Sequence, residues 1–185
     1  MIERLFPDKH IKKVEDINLA ELKKMGIKGM IIDIDNTLID YNKNMRESTI
    51  EWINNAKKEE FKICLVSNNT KQRVTEIANK LSLEGICNAT KPRRKGFIEA
   101  LNKMNLKNTE IAVVGDQVFT DVYGGNRLNM FTILVEQIAI KDIWITKIKR
   151  PIEKYVLRRY NERSEKHEEK KIQWKIKSAN AKKVA

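Results

Sequence analysis

Asp33 and Asp35 stand two residues apart in the run Asp33-Ile34-Asp35-Asn36-Thr37-Leu38, at the end of an apolar stretch that begins at Gly29. On a strand, residues two apart project to the same face. Two carboxylates would then point together, with Ile34 toward a core. Close carboxylates repel one another. A divalent cation between them relieves the repulsion, and an all-oxygen donor set suits magnesium. Three more polar clusters follow apolar runs: Ser67-Asn68-Asn69, Lys91-Pro92, and Gly115-Asp116-Gln117-Val118-Phe119-Thr120-Asp121. Together they offer a nucleophile, a proton carrier, a cation site and donors for phosphate oxygens, which is what phosphoryl transfer requires.

Each cluster alone has a plainer reading. Asp-x-Asp is common at strand ends, Ser-Asn-Asn is a turn, Lys-Pro a solvated loop and Gly-Asp a strand terminator. The first cluster fails as a calcium loop, because the sixth and twelfth positions hold Leu38 and Asn44 rather than Gly and Glu. Four clusters in order, each after a strand-like run, are harder to set aside.

The intervening chain supplies the elements that must position them. Asn18 with Glu21 reads as the capped start of a short helix that Gly26 ends. Strands are expected at 29–34, 61–66, 110–114 and 131–135, with a short one beginning at Ile86. Helices are expected at 47–59, from a cap at Thr70 through Val74, Ile77, Ala78 and Leu81, and around Phe97, Leu101 and Met104. The stretch 118–128 is weakly helical. Strands alternating with helices predict an α/β fold of three layers with a mostly parallel sheet. Ligands of such sheets bind at the carboxyl ends of the strands, where all four clusters fall.

Composition sets the outer limits. The chain has 185 residues, 41% apolar and 34% charged, enough for one domain with a core. No stretch approaches the roughly 18 apolar residues of a membrane span, and the opening ten lack a secretory apolar run, so a cytoplasmic location is expected. Cys64 and Cys87 make no disulfide framework, and His10 and His167 join no metal cluster. The net charge of +12 is uneven: residues 150–185 hold 12 Lys/Arg against 5 Asp/Glu, a net +7. The expected division is therefore a domain over 1–149 and a basic, partly helical tail over 150–185, with Pro151 opening a helix.

At this point the residues resemble the haloacid dehalogenase (HAD) superfamily. Asp-Ile-Asp-Asn-Thr-Leu is similar to its first motif, Ser67 to its second, Lys91 to its third and Gly115–Asp121 to its fourth. Leu5-Phe-Pro-Asp8, Gly26-Ile-Lys-Gly29, Asn36 and Gly124-Gly-Asn-Arg127 narrow the resemblance to subfamily IIIA phosphatases of the YqeG-like or phosphatidylglycerophosphatase-like group. It covers residues 1–140. The resemblance implies a Rossmann-like HAD fold and a magnesium-dependent phosphatase. Asp33 would be its nucleophile and Asp35 its acid and base. Magnesium would be held by the Asp33 carboxylate, the Asp35 carbonyl and Asp116. Ser67, Lys91 and a backbone donor from Asn68 would bind phosphoryl oxygens, and Asp121 would orient water or Lys91.

Only 33 residues separate Asp33 from Ser67, and 23 separate Ser67 from Lys91, too few for a cap domain. An open site favours a lipid headgroup, a protein or a nucleic-acid end over a small metabolite. Phosphatidylglycerophosphate is the leading substrate by resemblance; a phosphoprotein or nucleotide is the alternative. The tail reads as a solvated extension or as an interfacial anchor to anionic membrane through its lysines and Trp174. Nucleic acid is disfavoured, since aromatics are sparse. Two other readings are weaker. Cys87 to Arg93 has the Cys-x5-Arg spacing of cysteine phosphatases, but lacks glycine and contains Pro92. A non-catalytic basic binding module has no reason to keep the full motif set.

Overall fold

The computed structural model describes residues 2–138 and 155–162. Residues 2–138 lie in one compact unit, and 155–162 form a helix in a second. The 149/150 boundary, the helix start at Pro151 and Trp174 lie outside the described residues.

Among the described residues, six parallel strands build one sheet. They are β1 (Lys9–Ile11), β2 (Gly29–Ile32), β3 (Lys62–Val66), β4 (Glu84–Ile86), β5 (Ile111–Gly115) and β6 (Phe131–Val135). Their order is β1-β6-β5-β2-β3-β4. From β2 the chain winds outward to β4, then crosses back to β5, so the order reverses beside β2. A crevice opens at the carboxyl ends where the order reverses.

Helices α1 (Leu19–Lys24), α2 (Glu47–Lys58), α3 (Lys71–Leu81), α4 (Arg94–Met104) and α5 (Tyr123–Asn126) complete the unit. Strand alternation sorts the core into two layers. Met30, Ile32, Leu65, Ala112 and Val114 pack with Ile53 and Ala56 of α2 and Val74, Ile77 and Leu81 of α3. Ile31, Cys64, Val66, Ile111 and Val113 pack with Phe97, Ala100 and Met104 of α4. Both faces are therefore covered, which is why these strands read as continuous apolar runs. Burial pushes the Cys64 thiol up to about 12, so it is an inert core group.

Several sequence expectations need adjustment. Strand β2 ends at Ile32 rather than Ile34. Ile86 ends β4 instead of beginning it. Asn18 caps α1 as expected, its side chain accepting the Glu21 N–H at 3.1 Å, and Gly26 follows with φ +82. Thr70 occupies the start of α3, but its hydroxyl makes no capping bond. The stretch after Gln117 is a π-helical turn over Val118–Val122 followed by α5. Strand β1 is absent from the sequence expectations. The 33–46 connection and the β3–α3 junction hold no added folded unit, so the domain is capless. Among the described residues no helix is long and apolar enough to cross a membrane.

Candidate active site

The crevice is an open cavity of about 310 Å³ at the carboxyl ends of β2, β3 and β5. Asp33, Asp35, Ser67, Asn68 and Lys91 all line it. Asp116 is buried, and its carboxylate belongs with those of Asp33 and Asp121 to a group whose ligand atoms lie within 4.8 Å of one another. The ordered clusters of the sequence thus meet in one place.

Lys91 organises the centre. Its Nζ donates to Asp33 Oδ1 and to Asp121 Oδ1, both at 2.6 Å, and its side chain is only 3% exposed. Burial works against its charge, but Asp121 and Asp33 outweigh that and hold its pKa above the ordinary lysine value. Asn68 braces the Lys91 backbone from both sides: its Oδ1 accepts the Lys91 N–H at 2.6 Å, and its Nδ2 donates to the Lys91 carbonyl at 3.2 Å. The Asn68 side chain is therefore engaged with Lys91 rather than presented to a ligand. Asp121 is fixed on its other oxygen by the Gln117 N–H and the Thr120 hydroxyl, each at 3.2 Å. Gly115 lets this happen, since a Cβ there would collide with the Asp121 carboxylate.

Three buried carboxylates face one lysine. Burial pushes the Asp33 carboxyl up to about 7, with Lys91 opposing and Asp121 adding to the rise. Asp116 is raised well above the usual range by burial first, then by Asp33 and Asp121. Gln137 Nε2 donates to Asp116 Oδ2 at 2.9 Å, but Oδ1 is buried with no hydrogen-bond partner among the described residues. An orphaned oxygen in an all-carboxylate group with excess negative charge fits a hard divalent cation such as Mg²⁺.

The Asp35 carboxylate does not join this group. It accepts from Asn69 Nδ2 at 2.5 Å and from the Arg73 guanidinium. The expectation of a cation between the Asp33 and Asp35 side chains followed from strand periodicity, and the strand has ended by Ile32. Asn36 then turns with φ 59. Ser67 is 2% exposed, and its Oγ accepts the Asn69 N–H at 3.1 Å. Sequence reasoning misses Arg73 and Gln137. Arg73 looks like any helix-surface charge. Gln137 lies just past β6, where the strand-end rule already pointed. Cys87 does not line the cavity and packs partly buried against the core, so the Cys-x5-Arg spacing builds no nucleophile there.

The sequence model of the haloacid dehalogenase-like hydrolases matches residues 42–129. The chain is 38% identical over 159 residues to the probable phosphatase YqeG of Bacillus subtilis, covering 85% of this chain and 92% of that one. This chain belongs to the haloacid dehalogenase-like hydrolases. Within them it is a phosphatase of the YqeG-like group, and its substrates are phosphate esters. Two solved structures share this fold. One is an uncharacterized protein from Listeria monocytogenes serotype 4b, with TM-score 0.52 and 18% identity over 63% of this chain and 84% of that one. The other is a hypothetical protein from Xanthomonas campestris, with TM-score 0.51 and 12% identity over 74% and 78%.

Proposed function

We propose that this HAD phosphatase is magnesium-dependent, works through an aspartyl phosphate at Asp33, and acts on phosphatidylglycerophosphate. The observation that carries the mechanism is the placement of the Asp33 carboxylate in the cavity, hydrogen-bonded to Lys91 and grouped with Asp116 and Asp121. An Asp33 oxygen attacks phosphorus, and the bond from phosphorus to the ester oxygen breaks. Asp35 delivers a proton to the departing alkoxide. It then takes a proton from the water that attacks phosphorus, which releases phosphate and restores Asp33. Lys91 and Ser67 offset and hold the phosphoryl oxygens. Asp121 keeps Lys91 in place. Magnesium would be held by the carboxylates of Asp33 and Asp116 and the Asp35 carbonyl, and would supply positive charge against the phosphoryl oxygens.

The cation reading makes a prediction about stability alone. Binding to the folded state at 100 times Kd stabilises by about 2.7 kcal/mol, a rise in Tm of roughly 5–10 °C for a domain of this size. Asp116→Asn is expected to lose most of that rise. In chelator its Tm should instead exceed wild type by a few degrees, since a neutral amide removes one of three mutually repelling buried carboxylates. Thermal unfolding with and without Mg²⁺ checks both. A metal-free Tm below wild type, or an undiminished Mg²⁺ shift, would refute the assignment.

The lipid substrate is supported by the open, capless cavity and by the basic tail, which we propose brings the enzyme from the cytoplasm to the inner surface of an anionic membrane. Phosphate release from phosphatidylglycerophosphate in mixed micelles tests it. The expected result is a kcat/KM at least 100-fold above that for an aryl phosphate, with deletion of residues 161–185 raising KM only in the micelles. Aryl phosphate turnover without lipid turnover would leave the mechanism standing and move the substrate to a phosphoprotein or nucleotide.

A further inference from the structure

Two of the three Nζ–H donors of Lys91 go to buried carboxylates, its side chain is 3% exposed, and the proposed mechanism gives its remaining donor to the transferring phosphoryl group. A ligand in the cavity therefore meets one other cation among the lining residues, Arg73. Arg73 sits in the first turn of α3, whose apolar residues Val74, Ile77 and Leu81 anchor the helix in the core. Its side chain is 25% exposed, and one guanidinium nitrogen, Nη2, binds Asp35 Oδ1. Its Nε is buried with no hydrogen-bond partner among the described residues. A guanidinium has five N–H donors in a planar fork that matches phosphate and carboxylate oxygens. A single partly exposed carboxylate partner is a weak claim on it. Asp35 links Arg73 to the centre of the site, on the side where the proposed mechanism puts the leaving alcohol.

We propose that Arg73 is a specificity-determining residue that binds a second anionic group on the alcohol portion of the substrate. This rests on the phosphatase reading with Asp35 facing the leaving group. The preferred substrates are then phosphomonoesters carrying a further phosphate, phosphodiester or carboxylate close to the scissile group. An exchange of partners needs little rearrangement: the incoming anion takes the idle face of the guanidinium, or displaces the Asp35 contact, without moving α3. Asn69 still holds Asp35 through its other oxygen at 2.5 Å. A lipid phosphodiester and a soluble bisphosphorylated ester present the same chemistry to the fork.

The test compares wild type, Arg73→Met and Arg73→Lys on three substrates. They are p-nitrophenyl phosphate, which has no second anion, the soluble deacylated headgroup glycerophosphoglycerophosphate, and phosphatidylglycerophosphate in micelles. Because Arg73 also touches Asp35, some loss on all three is expected. The inference lies in the ratio. Arg73→Met should lose roughly 10- to 100-fold more kcat/KM on the two substrates with a second anion than on the aryl phosphate, mostly in KM. Arg73→Lys should recover part of it, as a point charge without the fork. Equal loss on all three would reduce Arg73 to a support for Asp35 and overturn the proposal. So would a selective loss confined to micelles, which would implicate the lipid surface rather than the anion. Wild-type preference between headgroup and lipid tells which source supplies the anion. Absence of aryl phosphate turnover by wild type would instead indict the mechanism beneath the proposal.

Discussion

Asp33→Asn is expected to lower kcat/KM by about 10⁴-fold or more on every phosphate ester, while the protein stays folded. The substitution is isosteric. The amide keeps an oxygen to accept from Lys91, whose Nζ lies 2.6 Å from Asp33 Oδ1 in the native protein. It is uncharged, so it cannot displace an alkoxide from phosphorus. It also removes one of three buried carboxylates from a group with excess negative charge. Burial already pushes the Asp33 carboxyl up to about 7, so a neutral group there avoids a desolvation penalty that the native residue bears. In metal-free buffer at neutral pH, the Asp33→Asn variant should melt no lower than wild type. Phosphate release and a melting curve on the same preparation separate chemistry from folding. Activity above about 1% of wild type would mean that Asp33 is not the attacking group.

The sheet was largely legible because parallel strands buried on both faces are rich in apolar residues, and the runs around 31, 64, 113 and 133 are nearly continuous, broken within the strands only by Lys62 and Thr132. What escaped was set by partners rather than by local pattern. Strand β1 is Lys9-His10-Ile11, three residues with no apolar run. It exists because β6 offers a free edge, and because Asp8 accepts from the Thr132 N–H at 2.8 Å and hydroxyl at 3.1 Å. The Thr70 cap illustrates the converse, since the residue type stands at the right place without making the bond.

The residues of the site were legible through order and spacing, but their pairings were not. Period-two geometry put the Asp33 and Asp35 side chains together. It fails once the ladder stops at Ile32 and Asn36 turns the chain. Lys91 lies 58 residues from Asp33 and 30 from Asp121, separations at which sequence spacing says nothing about contact. The β4–α4 loop carries it there, with the Asn88 N–H donating to the Asn69 carbonyl at 2.9 Å and the Ala89 N–H to the Ser67 carbonyl at 3.1 Å. Asp121 reaches it because Val118–Val122 winds as a π turn, a form found disproportionately at functional sites.

Lys91→Met should be the most damaging single change to stability in this site, and its partial repair is the sharper test. Methionine fills much of the lysine volume but leaves Asp33 and Asp121 buried without a cation. Removing one partner of a buried ion pair typically costs about 3–5 kcal/mol, a large share of the roughly 5–15 kcal/mol that holds a domain together. Urea unfolding in chelator should show that loss, and saturating Mg²⁺ should restore part of it by supplying positive charge to the same carboxylates. Turnover should fall by roughly 10²- to 10³-fold even when folding is rescued, because in the proposed mechanism a phosphoryl oxygen loses its charged donor. Adding Asp121→Asn removes one of the stranded charges, and the double variant should recover a substantial part of the lost stability. It should recover none of the turnover. Simple addition of the two single losses would show that Lys91 and Asp121 are not energetically coupled. Their 2.6 Å contact would then be a consequence of packing rather than the means by which the lysine is held at the nucleophile.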